Sequence, residues 1–135
     1  MKFTDEIHIN SDMSCAEAKL FVHPQADYLK DHFPGAPMLP GLLMLESAVR
    51  AAAALWQTRR DDVDASLAAE LDLVERLHIL QRVVPGETLV VQVEMQTPAV
   101  SETANTARFK ARGHVNGEAT MRAAFCLRSL VRAPR

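Results

Sequence analysis

The stretch from Gly41 to Trp56 constrains this chain more than any other part of it. Leu, Met, Ala and Glu dominate it, and these are strong helix formers. Pro40 and Gly41 suit a helix start, so the spacing predicts a helix from about Gly41 to Thr58. Leu42, Leu43, Met44, Leu45, Ala48, Val49, Ala52, Leu55 and Trp56 cover nearly all faces of that helix. A helix apolar all round is a buried helix. Glu46 and Arg50 interrupt the run, which falls short of the ~20 residues needed to span a bilayer. The rest of the chain must therefore wrap it.

That remainder reads as strands. Residues 3–9 and 17–23 mix or alternate apolar and polar positions, and Pro24 stops the second run. A short turn or helix from Gln25 to Lys30 leads into a proline-rich segment, and the charged run Arg59 to Asp64 is expected to be a solvated exit loop. Residues 69–83 alternate imperfectly. Pro85-Gly86 marks a turn before Thr88 to Met95, a strong strand. Residues 104–115 and 119–131 flank Asn116-Gly117, the pair favoured in a type I′ hairpin. One helix and five or six antiparallel strands give an α+β architecture. A single helix on a small sheet leaves apolar surface, which points to a dimer.

With 135 residues the chain is expected to be one domain, 1–135, with a real core. It is 48% hydrophobic and 24% charged, which argues against disorder. The net charge of -2 gives no global basic footprint for nucleic acid. Cys15 and Cys126 have no metal-type spacing and read as free buried thiols in a reducing compartment. The first residues lack the apolar core of a signal peptide. A cytoplasmic protein with no membrane or nucleic-acid partner is the expectation.

The chemistry concentrates between His32 and Glu46: His32-Phe33-Pro34-Gly35-Ala36-Pro37-Met38-Leu39-Pro40-Gly41-Leu42-Leu43-Met44-Leu45-Glu46. A histidine on a stiff proline turn and a carboxylate set among apolar helix residues are the ingredients of general acid–base catalysis. The structural alternatives are a turn histidine and a solvated helix glutamate. His8, His23, His78 and His114 show no metal-like spacing and read as strand or turn residues. Lys30, Arg76, Arg82, Lys110 and Arg112 are basic positions that can meet an acidic partner or simply face water.

The segment resembles the signature of the 3-hydroxyacyl-acyl-carrier-protein dehydratases of the FabZ type. The His-Phe-Pro, both later prolines, the glycine, the following leucine and the glutamate fall in register. Arg82-Val83-Val84-Pro85-Gly86-Glu87-Thr88-Leu89 resembles the strand entry of the same family. The resemblance implies the hotdog fold, a long central helix wrapped by a curved antiparallel sheet. It further implies a homodimer or assembly of dimers, with the histidine of one subunit facing the acid of the other. It implies an acyl carrier protein as partner, and no metal or cofactor beyond the carrier's phosphopantetheine arm. Two positions depart from the pattern: Asp31 stands where the family has glycine, and Arg50 where it has glutamine.

On that reading a 3-hydroxyacyl thioester loses water to become a 2-enoyl thioester. Neutral His32 takes the C2 proton, since imidazole titrates near pH ~6.5. Glu46 protonates the leaving hydroxyl, a role that burial favours. N–H groups at Gly41 and Leu42, at the positive end of the helix, polarise the thioester carbonyl. Phe33, Pro40 and Arg50 complete the expected substrate contacts. Arg50, one turn beyond Glu46, favours its carboxylate form if the two are close; alternatively it turns to the interface or to a carrier phosphate. A hotdog thioesterase and a non-catalytic subunit of a heteromeric dehydratase are the competing readings. Such thioesterases lack the proline-rich histidine segment.

Overall fold

The computed structural model describes residues 6–12, 14–25, 39–60, 69–96 and 106–129. In chain order they form β1 (Glu6–Ile9), β2 (Cys15–Phe21), α1 (Gly41–Arg60), β3 (Ala69–Ile79), β4 (Thr88–Met95), β5 (Thr106–Val115) and β6 (Glu118–Ser129). The six strands make one antiparallel sheet in the order β1-β2-β4-β5-β6-β3. This is the expected α+β hotdog arrangement.

Period-two patterning sorts the sheet faces. Leu89, Val91 and Val93 of β4 are buried, while Thr88, Gln92 and Glu94 are exposed. In β5, Ala107, Phe109 and Ala111 are buried between exposed Arg108, Lys110 and Arg112. Helix α1 packs on the apolar face, chiefly across β2 and β4. Ala48, Ala51, Ala52 and Leu55, all fully buried, form its sheet-facing stripe, and the three alanines permit close approach. Trp56 meets Phe109 edge-on at 6.5 Å, and Phe109 stacks on Phe125 at 5.8 Å. Aromatic geometry of this kind anchors a core.

Asn116 (φ 50°) and Gly117 (φ 85°) turn β5 into β6 with both central residues left-handed, as the type I′ turn requires. One register shift at Gly113/His114 then alters β6. Thr120 and Met121 are both buried, and the Thr120 hydroxyl has no hydrogen-bond partner. Gly113 is required there, because a Cβ would lie 2.7 Å from Met121 Cγ.

Strand β3 explains its own imperfect alternation. Its pairing with β6 shifts register twice, at Leu71/Leu73 and at Val74/Arg76. Each bulge resets which side chains face the core. Among the described residues β3 is an outer strand, and Leu71, Leu73 and Ile79, with Leu80 beyond its end, stay exposed.

The helix corrects one expectation: it is not apolar all round. Leu42, Glu46 and Arg50 are exposed in the single chain, and Leu42 is 72% accessible. Cys15 and Cys126 are free, as expected, but half-buried. No helix among the described residues is long and apolar enough to cross a membrane.

Candidate active site

The entrance to α1 is pinned from two sides. Leu39 N–H donates to Val83 C=O at 2.7 Å, and Leu80 N–H donates to Thr120 C=O at 2.7 Å. Val84 N–H donates to the Glu87 carboxylate at 2.9 Å, while Val22 and the Gly86–Glu87 turn exchange backbone bonds at 2.8 and 2.9 Å. The segment that resembles a family strand entry is therefore the clamp that positions the helix start.

Pro40 caps the helix through its carbonyl, which accepts from Leu43 N–H at 2.9 Å and Met44 N–H at 3.4 Å. The N–H groups of Gly41 and Leu42 precede the first of these bonds. They lie outside the helical ladder, where the helix dipole is positive. A hollow of about 260 Å³ opens beside them, lined by Leu39, Pro40, Gly41, Met44 and the run Ile79 to Arg82. A Cβ on Gly41 would sit 3.2 Å from Ile79 Cγ1, so glycine is what lets β3 come this close.

Glu46 lies about 7.5 Å further along the axis at 1.5 Å per residue. With Leu42 and Arg50 it forms one stripe at four-residue spacing. The expectation of an acid sunk in apolar surroundings fails within one chain, because Glu46 is exposed. Its sequence neighbours Leu45 and Ser47 are buried, but successive helix residues point about 100° apart. Apolar neighbours in sequence are thus not neighbours in space. Arg50 is likewise exposed and already engaged by another group.

The structure places Pro40 and Gly41 at the helix-entrance hollow, and Leu42, Glu46 and Arg50 on an exposed stripe of the same helix that is not among the described residues lining that hollow. His32, Phe33 and Asp31 lie outside the described residues. Ile79 to Arg82 are the lining residues that sequence reasoning assigned elsewhere, as strand residues or a basic surface position. The only signal for them was Gly41, whose missing side chain hints at close approach. Among the described residues no group of three or more His, Cys, Asp or Glu is placed to hold a metal ion.

One long helix laid across a six-stranded antiparallel sheet is the hotdog architecture. Solved structures agree in fold. The dehydratase heterocomplex ApeI:P from Xenorhabdus doucetiae aligns with a TM-score of 0.67 at 19% identity, covering 95% of this chain and 99% of that one. The PaaI protein of the Escherichia coli phenylacetic acid degradation operon aligns at 0.67 and 14%, covering 94% and 80%. A mutant thioesterase from Pseudomonas aeruginosa aligns at 0.68 and 13%, covering 93% and 80%. The model of the ApeI-like family, described as ApeI dehydratase, matches residues 8–121. The chain belongs to that family. It is also 30% identical over 108 residues to the 3-hydroxyacyl-[acyl-carrier-protein] dehydratase FabZ of Yersinia pestis, strain Pestoides F, covering 79% of this chain. It spans 59% of the length of that curated relative.

Proposed function

We propose that this chain dehydrates a 3-hydroxyacyl thioester, carried on an acyl carrier protein, to the trans-2-enoyl thioester in fatty-acid or related lipid or polyene synthesis. The observation that carries the reading is Glu46 on the open stripe of α1, between one and one and a half turns past the N–H groups of Gly41 and Leu42, which have no partner within the helix. The carbonyl oxygen binds at those N–H groups, where developing enolate charge is stabilised. His32 removes the C2 proton, and Glu46 delivers a proton to the C3 hydroxyl, which leaves as water. The chemistry needs no metal or bound cofactor; the carrier's phosphopantetheine arm brings the substrate. Phe33 and Pro40 shape the entry, and Arg50 tunes or flanks Glu46.

A second chain completes the site. Glu46 beside a 72% exposed Leu42 needs a covering surface to exclude water. Strand β3 offers the means, since its outer edge carries exposed Leu71 and Leu73. We assign a homodimer, or an assembly of dimers, in the cytoplasm. A heteromeric dehydratase is the second reading, favoured by the heterocomplex whose fold this chain shares.

The test is a coupled assay of purified chain with a 3-hydroxyacyl carrier substrate. Enoyl product from wild type, lost in H32A and E46Q, supports the proposal. Equal rates in wild type and H32A remove His32 as the base. Free thiol without enoyl product makes the chain a thioesterase. Turnover that appears only after mixing with a second hotdog chain makes it a subunit.

A further inference from the structure

The sheet face turned away from α1 carries a polar row across all six strands. His8, Glu17, Gln92, Arg112, Arg122 and His78 are successive cross-strand partners from β1 to β3. The next row reads Cys15, Glu94, Lys110, Ala124 and Arg76. Taken together the two rows segregate charge: the acids are Glu17 on β2 and Glu94 on β4, and the cations are Lys110 and Arg112 on β5, Arg122 on β6 and Arg76 on β3.

Arg112 and Arg122 are directly opposite, where side chains are about 5 Å apart at Cβ and like charges destabilise the pair. No described carboxylate makes an ion pair with either arginine. The contrast with the other end of the same strands is sharp. There Arg108 Nε meets Glu75 Oε1 at 3.0 Å, and Arg128 pairs with Glu70. The chain neutralises its cations at one end and leaves two adjacent arginines unmatched at the other.

A hollow of about 630 Å³ lies over this face, bordered by Lys110, Arg112 and Arg122 on one side and by Glu17, Gln92 and Glu94 on the other. That volume is of ligand size. Two guanidinium forks suit the oxygens of one phosphate group, which they can bind bidentately. The opposite wall accepts hydrogen bonds: Glu17 already takes one from Gln92 Nε2 at 3.3 Å. It repels a second anion and favours hydroxyl or amino donors. We propose that this hollow binds a nucleoside monophosphate, with its phosphate between Arg112 and Arg122 and its donor groups toward Glu17 and Glu94. The site is separate from the helix entrance and stands independently of the dehydratase reading.

The experiment is titration calorimetry of the intact chain at low salt with AMP, adenosine and inorganic phosphate as separate probes. AMP is expected to bind at least tenfold more tightly than either half. R112Q and R122Q should each weaken AMP about tenfold or more, the loss of a charge-assisted contact. Both variants should stay folded, because each relieves the like-charge pair, and thermal melts check this. R108Q removes the same charge from the same face at a neutralised position and should leave AMP affinity unchanged. The proposal is overturned if AMP binds no better than phosphate, or if R108Q costs as much as R112Q.

Discussion

The two sides of α1 differ sharply in burial. Toward the sheet, Ala48, Ala51, Ala52 and Leu55 are sealed with no accessible surface. On the opposite side, Leu42, Glu46 and Arg50 stand open. The closed side is small and apolar because the sheet must approach. The open side is chemically mixed: Leu42, Glu46 and Arg50 are apolar, acidic and basic, and all are exposed in the single chain. On the proposed reading, one helix separates fold from function by a half-turn, and substitutions on its two sides should fail in different assays.

The largest expected effect falls on the open side. E46Q should lower the dehydration rate by about 10²–10⁴, the range of a lost general acid. Its melting temperature should stay within a degree or two of wild type. Unfolding of E46Q together with loss of rate would place Glu46 in the fold rather than the chemistry, and erase the distinction between the two sides.

The closed side should show the reverse. L55A removes a fully buried side chain and should cost about 2–5 kcal/mol in chemical denaturation, since the alanines around it cannot collapse into the space. At temperatures where the variant remains folded, its turnover number should be close to wild type.

Gly41 lies on the sheet-facing side, in line with Ala48, Ala52 and Leu55, yet borders the entrance hollow, so G41A probes packing and the hollow together. The added methyl presses on Ile79 Cγ1 and Cδ1 at 3.2 and 3.3 Å, the far end of a flexible side chain. Stability should change by less than about 1 kcal/mol, because alanine's better helix propensity offsets the contact. The hollow beside Pro40 narrows, so KM should rise more than the turnover number falls. I79V in the same chain should restore KM. Failure of that rescue would mean that Ile79 does not border the substrate.

Much of this arrangement was legible in the residues, and the reasons differ by element. Thr88 to Met95 alternates because one face is buried, so its ends as a strand agree with the structure. Asn116-Gly117 announced its turn because few other pairs tolerate two left-handed residues. The open stripe of α1 was illegible: Leu42 looks like core, and only the placement of the sheet shows which leucines it covers. Strand β3 was blurred because two bulges reset its phase. The hollow at the helix entrance joins residues about forty positions apart, which local pattern cannot link. The His32 side of the candidate site rests on motif register alone, since those residues lie outside the described set.

A smaller effect tests packing in β6 at Thr120, whose carbonyl accepts from Leu80 N–H. Thr120 is 1% exposed and its hydroxyl is unpartnered. T120V keeps the shape and removes the desolvated hydroxyl. The chain should gain about 1 kcal/mol of unfolding free energy in chemical denaturation, the low end of the cost of an unmet buried polar group. Neither side of α1 should respond in turnover or in KM. A destabilised T120V would show that the hydroxyl has a function in the folded chain that packing alone does not reveal.

The smallest expected effect lies in the β1–β2 turn, away from α1, and serves as a control on the comparison. The Ser14 hydroxyl donates to Asp12 Oδ1 at 2.8 Å and Ser14 N–H donates at 3.1 Å, and these bonds hold the Asp12 carboxyl below its ordinary range. A carboxyl lowered on folding stabilises the native state above its unfolded pKa. That contribution disappears as pH falls through the folded value, so it vanishes in the acid range below pH ~4. S14A should move the Asp12 midpoint upward in an NMR titration by removing the hydroxyl donor and leaving the backbone donor. Acid unfolding should begin at slightly higher pH, while turnover near neutrality stays unchanged. A change in neutral-pH turnover would mean that this turn communicates with the open side of α1, and the separation of fold from function along that helix would then be incomplete.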